Sequence, residues 1–290
     1  MKSASDVTKL AGKLRARYSR RDRTYLHNWY AYKGEYYRLG TGYADDAVDR
    51  RNDNREPYIQ VWNLIKPIVD TKKTLLNVLP AIKVPPPIMA NEAAARKADT
   101  MERALYALWD ESNLVRKHGE ASFNLALNAA TTLFVRWDNE KGIPVLTVRS
   151  PGETYPMFKR GGEEVSCCVF RSEAELDQLC EDWPQVKRIA NSRGQRGSSI
   201  VEVLEYVDAD SYGMVVLGEW VTLDGVAEKT KLAFCPVYVV PGVYIGGEPF
   251  PPGDVDQLVA VNDHTNRFET KLNRAIEEVL YGWHDLVGEG

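Results

Sequence analysis

Three groups of residues have the types and spacing to do chemistry. The first is a run of charge on a helical period near the end of the chain: Asp263, Arg267, Lys271, Arg274, Glu277 and Glu278. Asp263–Arg267 and Arg274–Glu278 are i,i+4 pairs of opposite sign, each worth ~0.3–0.5 kcal/mol. If copies of this helix pack side by side, the cations can touch phosphates while the acids keep that contact weak, since each neutralised phosphate strengthens holding. Intersubunit salt bridging and plain solvation are the competing readings. The second group is Asp45, Asp46, Asp49 and Asp53, within a Gly- and Asp-rich stretch over 40–56. Clustered carboxylates suggest a metal, yet the Gly and Asn spacing of a calcium loop is missing and arginines interleave. The third is Gly194-Gln195-Arg196-Gly197, whose amides could cradle a phosphate. It neither follows a buried strand nor opens a helix, so turn or flexible loop is the plainer reading.

Other chemistries lack their residues. The four histidines, His27, His118, His264 and His284, include no i,i+4 pair and no Cys or Glu at ligand spacing. No GxSxG, HExxH or Gly-Lys-Ser/Thr phosphate loop occurs. Cys167, Cys168, Cys180 and Cys235 show no CxxC spacing, which reads as idle thiols in a reducing setting. No catalytic pair, metal site or cofactor is nominated. Net charge is −4, so no global basic field points to nucleic acid. No apolar run approaches the ~20 residues of a membrane span, and the first residues lack a signal-peptide core. The expectation is a soluble chain made in a cytoplasm.

The elements that must position these residues follow from periodicity. Pro251-Pro252-Gly253 ends a turn-rich passage, and Asp254 is placed to cap a long helix. Leu258, Val261, Thr265, Phe268, Leu272, Ile276 and Val279 recur at steps of three and four, giving one narrow apolar stripe. Gly282 stops the pattern. Such a helix suits packing side by side with copies of itself. At the other end, residues 6–32 read as a basic amphipathic helix with Val7, Leu10, Leu14, Tyr18, Tyr25, Leu26 and Trp29 on one face and Arg15, Arg17, Arg20, Arg21 and Arg23 crowded together. Either an arm that touches DNA or a partner chain, or a solvated face, fits that charge.

Between them the period changes repeatedly. Tyr58–Asn63 is strand-like, and Asn63 caps a helix carrying Leu64, Ile65, Ile68, Val69 and Leu75. Asn91 caps a further helix, Ser112-Asn113 interrupts it, and a second run spans Leu114 to Ala129. Thr131–Trp137 alternates as a strand, and Ile143–Val148 returns after a hairpin loop. Ser172 and Glu175 have the spacing of a capping box for a short helix ending near Trp183. Val201–Val207, Met214–Val221 and a segment toward Phe234 and Tyr244 read as an antiparallel meander. No βαβ alternation occurs, so the fold class is α+β.

Several of these stretches together resemble the portal proteins of tailed bacteriophages. They are Tyr32-Lys33-Gly34-Glu35 after the first helix, Asn63-Leu-Ile-Lys-Pro-Ile-Val-Asp70 with Pro80-Ala-Ile82, the helix–strand–hairpin order up to Ser150–Pro156, and Gly253-Asp-Val-Asp-Gln-Leu-Val259 leading to Leu280-Tyr281-Gly282. The resemblance implies an N-terminal basic helix and mobile loop over 1–56, a wing domain of helices on a small, mainly antiparallel sheet over 57–250, a stem helix over 251–281 and the start of a clip over 282–290. It further implies a homo-dodecameric ring at one capsid vertex in the virion, a channel for double-stranded DNA, and no enzymatic activity. Expected partners are the major capsid protein, the terminase motor and head–tail adaptor proteins, with no membrane. The DNA-channel or intersubunit residues would be Asp263, Arg267, Lys271, Arg274, Glu277 and Glu278. The remainder of the clip, the second stem helix, the tunnel loop and the crown have no counterpart here, which leads to the expectation that the chain is a piece of something longer. Two rivals stand beside this reading: a monomeric nucleic-acid-binding protein using the basic N-terminal helix, and an α+β enzyme without a local motif.

Overall fold

A computed structural model describes residues 2–35, 62–78, 81–86, 92–138, 142–160, 164–195, 197–222, 225–230 and 232–287. Helix α1 (Ala4–Lys33) opens on a reciprocal cap, in which Asp6 N–H donates to Ser3 Oγ and the Asp6 carboxylate accepts from Ser3 N–H. It closes on Gly34 in the left-handed region, with φ 75°. Helices α2 (Ile65–Leu76), α3 (Glu92–Glu111) and α4 (Leu114–Asn128) follow. Asn63 Oδ1 accepts from Lys66 N–H at 3.0 Å, the expected cap for α2. Asn113 takes the left-handed conformation between α3 and α4, where the sequence breaks the period. The strand expected over Tyr58–Asn63 and the cap expected at Asn91 fall mainly or wholly outside the described residues.

The strands form two antiparallel sheets. The first has the order β2-β1-β9, from β1 (Ala130–Asp138), β2 (Ile143–Arg149) and β9 (Val237–Pro241). The second has the order β3-β4-β5-β6-β7, from β3 (Thr154–Phe158), β4 (Val165–Glu175), β5 (Ile200–Asp208), β6 (Ser211–Val216) and β7 (Glu219–Trp220), with β8 (Glu228–Lys229) also paired to β6. Short helices α5 (Leu176–Asp182) and α6 (Pro184–Ser192) connect β4 to β5, and α7 (Asp254–Val287) ends the described chain. The architecture is mixed α+β with a long C-terminal helix.

The second sheet is covered on both faces, which explains the nearly continuous apolar runs in β4 and β5. Cys167, Val169, Leu204 and Tyr206 point to one face and pack under Val7 and Leu14 of α1. Cys168, Phe170 and Val207 point to the other and meet Phe134 and Val237 of the first sheet. Leu176, Leu179, Val186 and Ala190 of α5 and α6 close over Val201, Val203 and Val216. A separate helical cluster joins Ala31, Ile65, Val69, Ala126, Leu127, Val255 and Val259.

Five local expectations are corrected. Ser172 and Glu175 form no capping box: both are β4 residues, opposite Val203 and Ile200, because pairing along β5 extends the strand through them. The run Met214–Val221 is a hairpin, turning at Leu217 and Gly218, both at positive φ. The segment after Cys235 leaves the meander and pairs with β1 in the other sheet. Asp254 is the first helical residue and binds Lys72 Nζ at 2.6 Å, whereas Asp256 takes the Gly253 N–H at 2.9 Å. Helix α7 runs through Gly282 to Val287. One glycine costs a helix only about 1 kcal/mol, too little to end it.

Candidate functional site

Helix α7 presents three different faces. The buried face begins with Val255 and Val259 in the helical cluster, then continues as Asn262, Asn266 and Thr270. Asn262 Oδ1 accepts from Leu64 N–H at 2.9 Å, and its Nδ2 donates to the Trp62 carbonyl at 3.0 Å. Asn266 Oδ1 accepts from Trp62 N–H at 2.8 Å. Two side-chain amides one helical turn apart thus satisfy the backbone of Trp62–Leu64 as a neighbouring strand would. Asn28 Nδ2 of α1 donates to Asp256 at 2.7 Å and to the Leu127 carbonyl at 3.3 Å, fixing where α7 begins. Asn63 Nδ2 reaches the Tyr32 carbonyl at 2.8 Å, so α1, α2 and α7 are locked at one junction.

On the apolar face Leu258 packs against the helical cluster and Thr265 is partly covered, but the larger side chains beyond Leu258 are exposed. Val261, Phe268, Leu272, Ile276 and Val279 are 60, 59, 43, 47 and 61% exposed. At 100° per residue they fall within an arc of about 80°. The stripe legible in the sequence is real, but beyond Leu258 the subunit buries a different one.

The charged face gathers Asp263, Arg267, Lys271, Arg274 and Glu278 within another arc of about 80°. Arg267 Nη2 lies 3.0 Å from Asp263, as the i,i+4 spacing predicts. Arg267 and Arg274 are partly covered, and Lys271 and Glu278 are exposed. Glu277 is not brought onto this face. It lies on the continuation of the asparagine line, past the point where the body ends, and is exposed. Sequence reasoning missed Asn262 and Asn266, although two asparagines at i,i+4 on the line of Val255 and Val259 were the available signal.

Among the described residues no three His, Cys, Asp or Glu side chains stand where they could hold a metal. Asp45, Asp46, Asp49 and Asp53 lie outside those residues, as does Arg196. Gly194 and Gln195 follow α6 and border a cavity of about 550 Å³ also lined by Thr8, Ile200, Leu204 and Leu217. Its one carboxylate, Glu202, is bonded to Arg171. Cys167, Cys168 and Cys235 are buried free thiols. Burial pushes their pKa values up, to about 12 for Cys235, so none is a thiolate nucleophile at neutral pH. No described helix is long and apolar enough to cross a membrane.

No protein-family model matches the chain, and no curated protein sequence matches it.

Proposed function

We propose that the chain is a subunit of a portal-type ring, the connector at one capsid vertex through which double-stranded DNA is packaged and ejected. The observation that carries this reading is α7 itself: its first turns are pinned to the body, while Val261, Phe268, Leu272, Ile276 and Val279 remain bare beside a charged face. A helix of 34 residues with an uncovered apolar stripe is a strong invitation to a second copy. Stripe and charged face are about 140° apart, so one helix can offer its stripe to one neighbour and its charged face to another, the arrangement that a head-to-tail ring uses. Helix α3 adds to this, since Ala98 is its one buried residue and Met101, Leu105 and Tyr106 face outward.

In this reading Arg267, Lys271, Arg274, Asp263 and Glu278 face either the channel or the next subunit, and Glu277 borders that surface. Mixed signs suit a lumen through which DNA slides, because a uniformly basic wall would hold it. The terminase motor, the major capsid protein and a head–tail adaptor are the partners, and the virion is the location. The resemblance in the order of elements supports the assignment of 57–250 as wing and 251–281 as stem, with the helix continuing to Val287.

Native mass spectrometry with negative-stain imaging tests the proposal. A closed ring of about twelve copies with a central hole is expected. A chain that stays monomeric at high concentration, with scaffold and capsid protein supplied, overturns it.

A further inference from the structure

One face of α1 carries only cations over three helical turns. Lys9, Lys13, Arg17 and Arg20 are exposed. At 100° per residue they lie within an arc of about 80°, and between Lys9 and Arg20 that arc holds no other residue. They spread over about 16 Å of helix axis. Among the described residues none of the four makes an ion pair with a carboxylate. Helix α1 holds eight of the chain's 37 Lys and Arg but two of its 41 Asp and Glu. Both acids are engaged: Asp6 with Ser3 in the cap, and Asp22 with Arg21 and the Tyr155 hydroxyl. Another face of the helix is anchored by Val7, Leu14 and Tyr25, so the stripe is held rigid against solvent.

We infer that this stripe is a docking surface for the phosphate backbone of duplex DNA, without regard to sequence. It goes beyond the ring reading and does not rest on it. The chain as a whole is acidic, so no overall basic field draws a polyanion and attraction has to come from a local patch such as this one. A duplex offers one charge per ~1.7 Å of axis, a ladder dense enough to meet all four cations. A membrane surface would gain most from an apolar face free to enter the lipid beside these cations, and Val7, Leu10, Leu14 and Tyr18, the apolar residues of the same turns, are packed against protein. Single strands are held by stacking on aromatics, and none lies in the arc between Lys9 and Arg20. Duplex RNA is read partly through its 2′-hydroxyls, for which the arc offers no neutral hydroxyl or amide between those residues. Four phosphate contacts make a weak hold that salt removes.

Fluorescence anisotropy of the full chain with a labelled, mixed-sequence DNA duplex, across about 50 to 200 mM salt, tests this. The logarithm of the binding constant is expected to fall against that of salt with a slope of about −3 to −4. The variant Lys9→Gln/Lys13→Gln/Arg17→Gln/Arg20→Gln should melt as the parent does and lose that slope. Single substitutions should each lower it by about 0.9, and Lys9→Arg/Lys13→Arg should retain it. Absence of duplex binding at the lowest salt, or an unchanged slope in the quadruple variant, overturns the inference. So does equal affinity for duplex RNA or phosphatidylserine vesicles that the same four substitutions abolish. Ring formation, scored separately on the same variants, is expected to persist, so a failure here leaves the ring reading standing.

Discussion

Arg149 Nη2 donates to both carboxylate oxygens of Glu205, at 2.7 and 2.8 Å, and so ties β2 of one sheet to β5 of the other. The guanidinium also stands over the Phe170 ring, 5.4 Å from its centre. Both side chains are mostly covered. Arg149→Ala strands the Glu205 carboxylate between the sheets and is expected to cost about 3 kcal/mol. The paired change Arg149→Met/Glu205→Leu should cost less, because no charge is left unanswered. Urea denaturation of Arg149→Met, Glu205→Leu and the double measures the coupling; strictly additive losses would show that the pair is not a unit.

Asp208 closes the turn between β5 and β6. Burial alone would raise its carboxyl, but hydrogen bonds from the Tyr206 hydroxyl, Asp210 N–H and Ser211 outweigh that and hold it below the ordinary 3.8. A folded pKa below the unfolded one means that the unfolded chain binds the proton first. The stabilisation is therefore complete above pH 3.8 and disappears as pH falls through the lower folded value. Asp208→Asn should cost about 1 kcal/mol at pH 7. Its deficit should shrink on acidification, as read from urea midpoints at a series of pH values.

Asn262→Leu keeps the volume and removes both partners of the backbone at Trp62 and Leu64. Each orphaned backbone group costs about 1–3 kcal/mol where water cannot replace the partner. Hydrogen exchange at the Leu64 amide should accelerate well beyond that of amides in β4 and β5. If Leu64 stays as protected as before, the asparagine clamp is not what holds this segment.

Phe268→Ser/Leu272→Ser/Ile276→Ser alters side chains that are 43–59% exposed in the subunit. Each substitution should shift subunit stability by no more than about 0.5 kcal/mol. Self-association should nevertheless be lost in sedimentation velocity, since a second copy has no apolar stripe to cover. The reverse pattern, a destabilised subunit that still assembles, would place the stripe inside the subunit core.

Much of this was open to reading from the residues. Asn63 and the break at Ser112-Asn113 mark helix boundaries through contacts a few residues apart, which local sequence specifies. The apolar stripe of α7 and the pair Asp263–Arg267 follow from the helical period alone, because three- and four-residue steps are geometry rather than context. What needed the tertiary structure was every choice between two locally acceptable answers. Ser172-Glu-Ala-Glu175 can cap a helix or extend a strand, and the long edge of β5 decides for the strand. The segment Val237–Pro241 can continue the meander or join β1, and burial of Val237 against Phe134 decides for β1. Helix α7 has both an apolar and an asparagine line, and the body takes the second because the backbone of Trp62–Leu64 must find hydrogen-bond partners there. Periodicity determined that α7 has an apolar face; only packing decided that this face would be left exposed.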